Sequence, residues 1–574
     1  MNQDSEGVRV VDYIMQFLQE KGTHSIFLLT GNGAMYINDA IAKCEDLKYI
    51  CVRHEVAAPM MAESYARVCG KLGVVCVTSG PGATNAVSGL AEAWVDSGPI
   101  MILSGQSPSN QMPKDGALLK VRSFGTAGFD IIPVIRPMTK YAITIRDAKS
   151  IRFHLEKAYH LAMEGRPGPV WIDLPMDIQY EIIKPESLEG FTPEHDLDST
   201  IYEIDAILSL LKDSKRPLIV AGQGIRQGNA LSEFNQFINL LNIPIAFSRL
   251  GQDILPYSHR LNMGQIGRRG QKYSKELLRD ADLIIVLGCR LAAAMAGVDL
   301  EHFNKNAKII MVDIDPAELE FHGVRINMKV LGHVKDFMQQ FNATCQDFQS
   351  DYWMAWTKKC LAMKSDKKMF DFELIDMNSK YIDLYHFMSR LDALTSQTDI
   401  LITDAGSNYY VGGQVYRFEK GQREITSGAY AAMGLSIPLA VGAAVAKPKS
   451  QIVAVTGDGS LELNIQELKT ISYYGLNIKL FVINNGGYVS MRNWQDSFFD
   501  GRRIGSDDNT GAEMLNLELV AKTYELEYLL ISSPGDIDKC LEKVFKKNSP
   551  LFIEVMCDPS QKIVQPYAET ELSS

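Results

Sequence analysis

Two short apolar runs, QIVAVT at residues 451–456 and KLFVIN at 479–484, flank a helical stretch from about 461 to 474. Both runs are rich in β-branched and aromatic residues, which is typical of buried strands. A strand, a helix and a second strand in this order are expected to place the two strands side by side and parallel. The segment therefore predicts an α/β fold with a parallel sheet.

Polar residues follow both predicted strands. Gly457-Asp458-Gly459 comes after the first, and Asn484-Asn485 after the second. Parallel neighbours lie about 4.8 Å apart and their carboxyl ends open into one crevice, so Asp458 and Asn485 can reach a single ion. Such oxygen ligands suit Mg²⁺ that keeps water and phosphate oxygens, and glycines let phosphate approach the backbone. We predict a magnesium–diphosphate anchor; the alternative is a Gly-Asp-Gly turn and two unrelated turn asparagines.

The same alternation of strands and helices recurs along the 574 residues, a length that exceeds one domain. We predict three doubly wound α/β domains with parallel sheets, at residues 1–185, 201–345 and 376–574. The acidic, proline-containing stretch 184–200 and the less regular stretch 346–375 are interpreted as linkers.

Composition narrows the class of protein. The apolar content of 46% and the charged content of 22% are ordinary for a soluble globular protein. The net charge of −11 argues against nucleic acid or anionic membrane as the main partner. The N-terminus does not resemble a secretory signal, and no run approaches the roughly 20 apolar residues that cross a bilayer. Nine cysteines without a Cys-x-x-Cys pair predict reduced thiols in a cytoplasmic protein.

The middle and first segments each carry a glycine-rich loop after a strand. GQGIRQG at 222–228 is placed like a nucleotide loop, but its match to G-x-G-x-x-G fails at the last position, where Gln227 precedes Gly228. In the first segment, TSGPG at 78–82 lets a flat ligand approach the main chain. Glu55 is predicted to lie in the first turn of a helix and is a candidate site residue. The alternative is a structural role, in which its carboxylate interacts favourably with the helix dipole.

Several motifs together resemble thiamine-diphosphate enzymes of the acetolactate synthase and pyruvate oxidase group. The resemblance spans all three segments, and it is carried by His54-Glu55, TSGPGATN (78–85), DIDPAEL (313–319), SGAYAAMGLSIP (427–438) and the Gly-Asp-Gly and Asn-Asn pair. It implies a pyrimidine-binding N-terminal domain, a Rossmann-like central domain and a diphosphate-binding C-terminal domain.

The resemblance also implies roles for individual residues. Glu55 would hydrogen-bond the aminopyrimidine ring and favour its imino tautomer, and Gln106 would lie near the reactive carbon. Asp458, Asn485 and the backbone carbonyl of Gly487 would hold Mg²⁺. The other cofactor-binding residues that it implies are Pro81, Gly82, Asn85, Gly406, Ser407, Asn408, Met433, Gly457, Gly459, Ser460 and Tyr488.

The expected reaction is decarboxylation of a 2-oxo acid, with pyruvate as the donor, followed by transfer of the two-carbon unit to a carbonyl acceptor. Ser490 and Met491 stand where simple decarboxylases of the group often carry an acid, which favours carboligation over protonation. The stretches 121–143 and 484–505 are similar to acetolactate-synthase-like enzymes of bacterial polysaccharide and unusual-sugar pathways, which suggests a keto-sugar nucleotide as acceptor. The alternatives are an acetolactate synthase that condenses two pyruvates, a 2-oxo acid decarboxylase or oxidase, and a non-catalytic cofactor-binding paralogue.

The chain departs from the acetolactate synthase pattern in three places. Thr126-Ala127-Gly128 replaces Phe-Gln-Glu, Gly406-Ser407-Asn408 replaces Gly-Gln-His, and RLAAA at 290–294 replaces Arg-Phe-Asp-Asp-Arg. FAD binding therefore stays open, with Arg268 and Arg269 as candidate phosphate ligands. Arg122, Arg492 and Arg502 are candidates for acidic substrate groups, or else solvated or structural. The resemblance implies a homodimer or homotetramer with active sites at the subunit interface.

Overall fold

The computed structural model describes residues 7–112, 122, 125–193, 201–297, 303–321, 323–346, 350–395, 399–419 and 421–564. Their strands form three six-stranded sheets, and every neighbouring pair within these sheets is parallel. The predicted fold class, three α/β domains with parallel sheets, is confirmed. Residues 194–200 of the first predicted linker lie outside the described residues.

The N-terminal domain contains strands β1 (Val8–Arg9), β2 (Ser25–Leu28), β3 (Lys48–Cys51), β4 (Gly73–Val77), β5 (Ile100–Gln106), β6 (Tyr141–Thr144), β7 (Val170–Pro175) and β8 (Ile182–Ile183). Its helices are α1 (Val10–Glu20), α2 (Met35–Lys43), α3 (Ala57–Cys69), α4 (Pro81–Asn85), α5 (Val87–Val95), α6 (Ile132–Ile135), α7 (Ile151–Met163) and α8 (Met176–Tyr180). The sheet order is β3-β2-β4-β5-β7-β6, and β1 pairs with β8 separately. The strands β4, β5 and β7 are buried throughout, which explains their continuous apolar sequences.

The central domain contains β9 (Pro217–Ala221), β10 (Ile245–Phe247), β11 (Asn262–Gln265), β12 (Leu283–Leu287), β13 (Lys308–Asp313) and β14 (Met328–Leu331). Its helices are α9 (Ile204–Asp213), α10 (Gly224–Gln227), α11 (Leu231–Leu241), α12 (Ser274–Asp280), α13 (Ala293–Ala296), α14 (Pro316–Glu320), α15 (Val334–Thr344) and α16 (Met354–Asp366). The sheet order β11-β10-β9-β12-β13-β14 reverses direction between β9 and β12. That reversal is the topological switch point at which α/β sheets bind ligands.

The helix α16 contradicts the interpretation of residues 346–375 as a linker. The indole N–H groups of Trp353 and Trp356 donate to the carbonyls of Ser214 and Pro217 at 2.8 and 2.9 Å, and Cys360 is fully buried in the central-domain core. These large apolar side chains anchor the segment on the central domain, which a reading of local irregularity could not detect.

The C-terminal domain contains β15 (Ile400–Thr403), β16 (Arg423–Ile425), β17 (Ile452–Gly457), β18 (Ile478–Asn484), β19 (Glu527–Ile531) and β20 (Leu551–Met556). Its helices are α17 (Leu384–Leu394), α18 (Ser407–Val415), α19 (Ser436–Ala446), α20 (Asp458–Leu461), α21 (Leu468–Tyr474), α22 (Val489–Phe498), α23 (Leu517–Thr523) and α24 (Ile537–Phe545). A 3₁₀ turn, Glu462–Glu467, joins α20 to α21, and we call residues 458–474 the linking segment. The sheet order is β16-β15-β17-β18-β20-β19, with β17 and β18 parallel as predicted.

The N-terminal and C-terminal domains share one hydrophobic core, formed where α3 packs on α19. The two helices approach closely at Gly442, where a Cβ would lie 2.1 Å from the Met61 carbonyl oxygen. The Ser64 hydroxyl donates to the Leu439 carbonyl at 2.6 Å across the same contact. In the part of the chain that the structure describes, no helix combines the length and the apolar character needed to traverse a membrane.

Candidate active site

The polar residues that follow β17 and β18 lie together at the carboxyl edge of the C-terminal sheet. Gly457 pairs with Ile483, so Asp458 leaves β17 level with Asn484 and within hydrogen-bonding distance of Asn485. The Asp458 carboxylate is buried, and its Oδ2 accepts hydrogen bonds from the backbone N–H groups of Asn485 at 3.1 Å and Gly487 at 3.0 Å. The structure thus brings together the three residues that the resemblance assigns to Mg²⁺.

Burial raises the pKa of the Asp458 carboxyl group, and backbone N–H groups of Gly487, Gly459 and Asn485 oppose that rise. Gly459 has no space for a side chain, because a Cβ would lie 2.5 Å from the Tyr488 ring. Gly487 has φ +105°, a conformation that favours glycine. The glycines therefore permit the turn whose backbone N–H groups hold the Asp458 carboxyl group.

Arg492 of α22 supports the same turn. Its guanidinium donates to the carbonyls of Asn485 at 2.7 Å and Gly486 at 2.6 Å. Because these donors are used on the backbone, Arg492 follows the structural alternative rather than the substrate-binding one. Arg502 and Arg122 are exposed to solvent.

Asp404, directly after β15, joins several segments of this edge. Its buried carboxylate accepts hydrogen bonds from Asn408 Nδ2 at 3.2 Å, Thr456 Oγ1 at 3.0 Å and Ser460 Oγ at 2.8 Å. Ser460 Oγ in turn accepts the backbone N–H of Gly434 at 2.8 Å. Burial raises the pKa of Asp404 to about 6 despite these hydrogen bonds. Asp404 therefore ties the predicted diphosphate loops to one another.

The turn that begins α18 contains the predicted residues Gly406, Ser407 and Asn408. Gly406 has φ +105°, and Ser407 lines a small pocket together with Asn485. The buried Oδ1 atom of Asn408 has no hydrogen-bond partner among the described residues. This edge of the sheet therefore retains an unused amide oxygen, a ligand type that Mg²⁺ accepts.

Glu55 and three other predicted residues lie together in the N-terminal domain. Glu55 is buried just before α3, and its Oε2 accepts a hydrogen bond from Asn85 Nδ2 at 3.0 Å. A Cβ on Gly82 would lie 3.4 Å from Glu55 Oε1 and 2.7 Å from the Thr78 side chain. Pro81 begins α4, which carries both Gly82 and Asn85. This turn therefore brings Gly82, which has no side chain, against the Glu55 carboxylate.

Gln106, at the end of β5, is held by its own surroundings. Its Nε2 donates to the Phe129 carbonyl at 2.8 Å and to Asp173 Oδ2 at 3.2 Å, while its Oε1 accepts the Ser107 N–H at 3.0 Å. Burial raises the pKa of Asp173 to about 6. The hydrogen bonds do not join Gln106 to Glu55, and its catalytic role stays a prediction.

The N-terminal and C-terminal groups are linked through the linking segment. The buried Glu467 accepts the backbone N–H groups of Arg53 at 2.8 Å and His54 at 3.0 Å. Met433, between β16 and α19, is exposed. Glu467 and Asp404 were not expected from the sequence; the one local signal is an acidic residue within an otherwise apolar helical face or strand end.

A cavity of about 220 Å³ lies where all three domains meet. It opens at the carboxyl ends of β9 and β12, the switch point of the central sheet, and its lining includes Asp96, Arg249, Arg269, Tyr410 and Gly428. Arg249 forms an ion pair with the buried Glu424. The Arg269 guanidinium stacks on Tyr410, 4.7 Å from the ring centre, and its burial lowers its pKa. The cavity thus offers a desolvated cation beside an aromatic ring.

Family models match each domain in turn. Residues 8–121 match the thiamine pyrophosphate enzyme N-terminal TPP binding domain, residues 204–341 the central domain, and residues 404–555 the C-terminal TPP binding domain. The chain belongs to the thiamine pyrophosphate enzyme family. It is therefore a thiamine-diphosphate-dependent enzyme of the lyase or transferase kind.

Curated relatives of this family member cover nearly its whole length. It is 33% identical to the acetolactate synthase large subunit of Lactococcus lactis over 96% of this chain and 93% of the relative. It is 30% identical to the acetolactate synthase large subunit of Haemophilus influenzae, over 96% and 95%, and 29% identical to the chloroplastic acetolactate synthase of Arabidopsis thaliana, over 97% and 82%. These relatives support an acetolactate-synthase-like enzyme, whereas they do not single out the sugar-pathway branch expected from the sequence.

Proposed function

We propose that this thiamine pyrophosphate enzyme decarboxylates pyruvate and joins the resulting two-carbon unit to a second pyruvate, forming acetolactate. Two groups of residues are retained together: Glu55 with Asn85, which we call the Glu55 group, and Asp458 with Asn485 and Gly487, which we call the Asp458 group. The observation that carries the proposal is that both occur in a chain similar over 96% of its length to acetolactate synthase large subunits. A non-catalytic paralogue would have no need of both groups.

The residues present fit the cofactor. Asp458, Asn485 and the Gly487 carbonyl would hold Mg²⁺, and the unused Asn408 Oδ1 shows that this edge keeps a free oxygen ligand. Gly82 lies against the Glu55 carboxylate and the Thr78 side chain, where a Cβ would come within 3.4 Å and 2.7 Å of them, so this turn borders Glu55 without a side chain of its own. When bound, thiamine diphosphate supplies the carbanion and the electron sink of the reaction.

The chain itself supplies proton transfer, orientation and exclusion of water. Glu55 would carry and exchange a proton at its Oε1, while Asn85 holds Oε2 and fixes the carboxylate plane. Ser490 and Met491 place no acid directly after the Asn-Asn turn, so protonation of the two-carbon unit is disfavoured relative to attack on a carbonyl. The exposed Met433 would pack against the cofactor.

The assembly we propose is a homodimer, or a homotetramer built from such dimers. Apolar and aromatic side chains lie exposed around both groups, among them Tyr430, Met433 and Tyr473. A second copy of the chain would bury this surface and bring its own Glu55 to the Asp458 group.

A flavin or another dinucleotide in the central cavity is a further part of the proposal. The cavity lies at the switch point, and no carboxylate pairs with Arg269 among the described residues. A partly buried guanidinium without a counter-charge favours an anionic ligand. Mass spectrometry of ligands released from the purified protein would identify FAD, and a cavity that yields only buffer would reject this part.

A larger acceptor is the second candidate. The segment Thr126-Ala127-Gly128 replaces a bulkier Phe-Gln-Glu, and the Ala127 carbonyl oxygen lies 2.7 Å from where a Cβ on Gly80 would stand. Small residues thus border the loop beside Glu55, and the loss of the bulkier Phe-Gln-Glu is the change that favours a larger acceptor such as a keto-sugar nucleotide.

Product analysis tests the proposal directly. Purified enzyme with thiamine diphosphate, Mg²⁺ and pyruvate alone is expected to form acetolactate, and Glu55→Gln is expected to bind the cofactor but lose about three orders of magnitude in turnover. Decarboxylation that requires an added keto-sugar nucleotide would favour the second candidate. Acetaldehyde release would indicate a decarboxylase, and oxygen uptake an oxidase. Unchanged turnover in Glu55→Gln would reject the catalytic assignment.

A further inference from the structure

Glu467 lies at the contact between the linking segment and the turn before Glu55. Its carboxylate belongs to the C-terminal domain, whereas Arg53 and His54 belong to the N-terminal domain. The backbone N–H groups of these two consecutive residues converge on one oxygen, Oε1, at 2.8 and 3.0 Å. Oε2 accepts the hydroxyl of Thr470 at 2.7 Å. The two carboxylate oxygens therefore have separate partners: Oε1 binds the N-terminal domain and Oε2 binds Thr470 of the linking segment.

The same turn is held at a second point. The backbone N–H of Cys51, the last residue of β3, donates to the Tyr474 hydroxyl at the other end of the linking segment, at 2.9 Å. Glu467 is fully buried, and desolvation raises its pKa. Burial of a carboxylate destabilises the folded protein unless several hydrogen bonds compensate for the lost water. A buried glutamate at this position therefore suggests a specific role for its hydrogen bonds.

We propose that Glu467 is a positioning residue: it fixes the turn 51–54 from the neighbouring domain and so sets the place of the Glu55 carboxylate. The inference rests on the proposed function, in which Glu55 is catalytic. Glu55 follows His54 directly, hence a displaced turn moves the carboxylate relative to its Asn85 partner. Misplacement of a catalytic group by about 1 Å can lower a rate by about 100-fold.

The linking segment also connects this contact to the predicted diphosphate anchor. It begins at Asp458 in the diphosphate anchor and reaches the Glu55 turn through Glu467 and Tyr474. The linking segment therefore connects the metal ligand of one proposed active site to the support of the catalytic glutamate, which in the proposed dimer serves the other site. The α3–α19 contact already joins the domains, so Glu467 is not needed merely to keep them together.

Two conservative substitutions separate reach from charge. Glu467→Gln keeps the length of the side chain and an oxygen able to accept both N–H groups, while it removes the charge. Glu467→Asp keeps the charge but withdraws the oxygen by about one methylene, roughly 1.5 Å. Thr470→Val is the matched control, because it frees Oε2 and leaves the oxygen that holds Arg53 and His54.

The experiment measures kcat with pyruvate, the Kd of thiamine diphosphate with Mg²⁺, and amide exchange at residues 53–54 in the full-length holoenzyme. We expect Glu467→Asp to lower kcat about 10–100-fold with its Kd within about twofold, and to speed amide exchange at Arg53 and His54. Glu467→Gln should keep kcat within about threefold and retain the protection, and Thr470→Val should match the wild type.

Three results would overturn the proposal: a larger kcat loss in Glu467→Gln than in Glu467→Asp, no loss in either, or a Kd that weakens in step with kcat. If Glu467→Asp does not fold, Tyr474→Phe takes its place, since it removes the acceptor of the Cys51 N–H. It should lower kcat about threefold at constant Kd, and an unchanged kcat would then reject the inference. Failure of the proposed function is distinct, because Glu55→Gln would in that case retain its turnover.

Discussion

The first and last sheets of the molecule have the same strand order but carry different residues at the ends of their strands. In the N-terminal sheet β3-β2-β4-β5-β7-β6 and the C-terminal sheet β16-β15-β17-β18-β20-β19, each strand occupies the same place when counted along its own domain. The helices α3 and α19, which pack together, follow equivalent edge strands. The two domains therefore share one scaffold, and they pack together through the helix that occupies the equivalent place in each.

The correspondence extends to single side chains. Ser104 pairs with Asp173 across β5 and β7, and Asp173 accepts a hydrogen bond from Gln106, two residues further on. In the other sheet Val482 pairs with Glu554, which accepts Asn484 Nδ2 at 2.6 Å, again two residues further on. In both sheets a carboxylate thus fixes the amide that ends the fourth strand.

The difference lies in what each strand end presents. The loop after β4 supplies a glycine beside Glu55, whereas the equivalent loop after β17 supplies Asp458 and backbone N–H groups. The scaffold places residues at the ends of its strands, and in the proposed function a few loop residues decide whether that place would bind a ring or a metal-bound diphosphate. Substitutions in matched pairs can test this division of labour.

The largest contrast is expected between Asp458→Asn and Glu55→Gln. Loss of the carboxylate ligand should weaken Mg²⁺-dependent binding of thiamine diphosphate about 100-fold, because an amide binds a divalent cation less strongly. Glu55→Gln should leave that affinity within a few fold. Titration calorimetry with and without Mg²⁺ measures both, and equal affinities in the two variants would break the assignment of roles to the two sheets.

A smaller contrast is expected between two buried carboxylates whose pKa values are each raised to about 6, Asp404 and Asp173. Asp404→Asn loses an acceptor for Thr456 or Ser460 and should weaken thiamine diphosphate about tenfold. Asp173→Asn lies in the other sheet and should leave the cofactor Kd unchanged. The same titration decides, and a weaker Kd in Asp173→Asn would show that the sheets do not act separately.

The smallest effect concerns stability. Burial raises the pKa of Glu92 on α5 to about 8, with Asp96 and Glu63 adding to the rise, whereas Glu467 on the equivalent linking segment is satisfied by hydrogen bonds. Because the folded protein retains a proton that the unfolded chain releases, stability falls as pH rises from about 4.5 to about 8.

Glu92→Gln removes that titration without changing size. Its Tm should exceed that of the wild type by about 2 °C or more at pH 8.5, with little difference near pH 5, as differential scanning calorimetry can measure. A difference that is constant across pH would contradict the assignment of the effect to Glu92.

The sequence was sufficient for the fold class and for the proximity of Asp458 and Asn485, whereas their role as a magnesium–diphosphate anchor stays a prediction. The run 451–484 has β-branched strands around a helix, and parallel pairing of β17 with β18 brings Asp458 next to Asn485. Periodicity and strand-end chemistry are local signals, so they can be read without a structure. The wrong interpretation of 346–375 shows the limit, because its burial depends on where Trp353 and Trp356 find partners.

Asp404 and Glu467 could not be found in the same way. Each is an acidic residue that is buried in the fold, and each has donors that are distant in sequence, such as Thr456 for Asp404 and Arg53 for Glu467. No local pattern distinguishes such residues from solvated ones. The substrate-facing hypothesis for Arg492 was resolved by its backbone partners, which only the fold reveals.

The core shared by α3 and α19 has a consequence for synthesis on the ribosome. The helix α3 is buried on nearly every side, but its partner α19 is translated about 370 residues later. At ordinary translation speeds that interval lasts roughly 20–70 s, during which the apolar, alanine- and methionine-rich surface of α3 stays exposed to solvent. Nascent chains that end before residue 436 should therefore depend most on chaperones. An N-terminal domain expressed alone would expose the same apolar surface at all times and should be prone to aggregation.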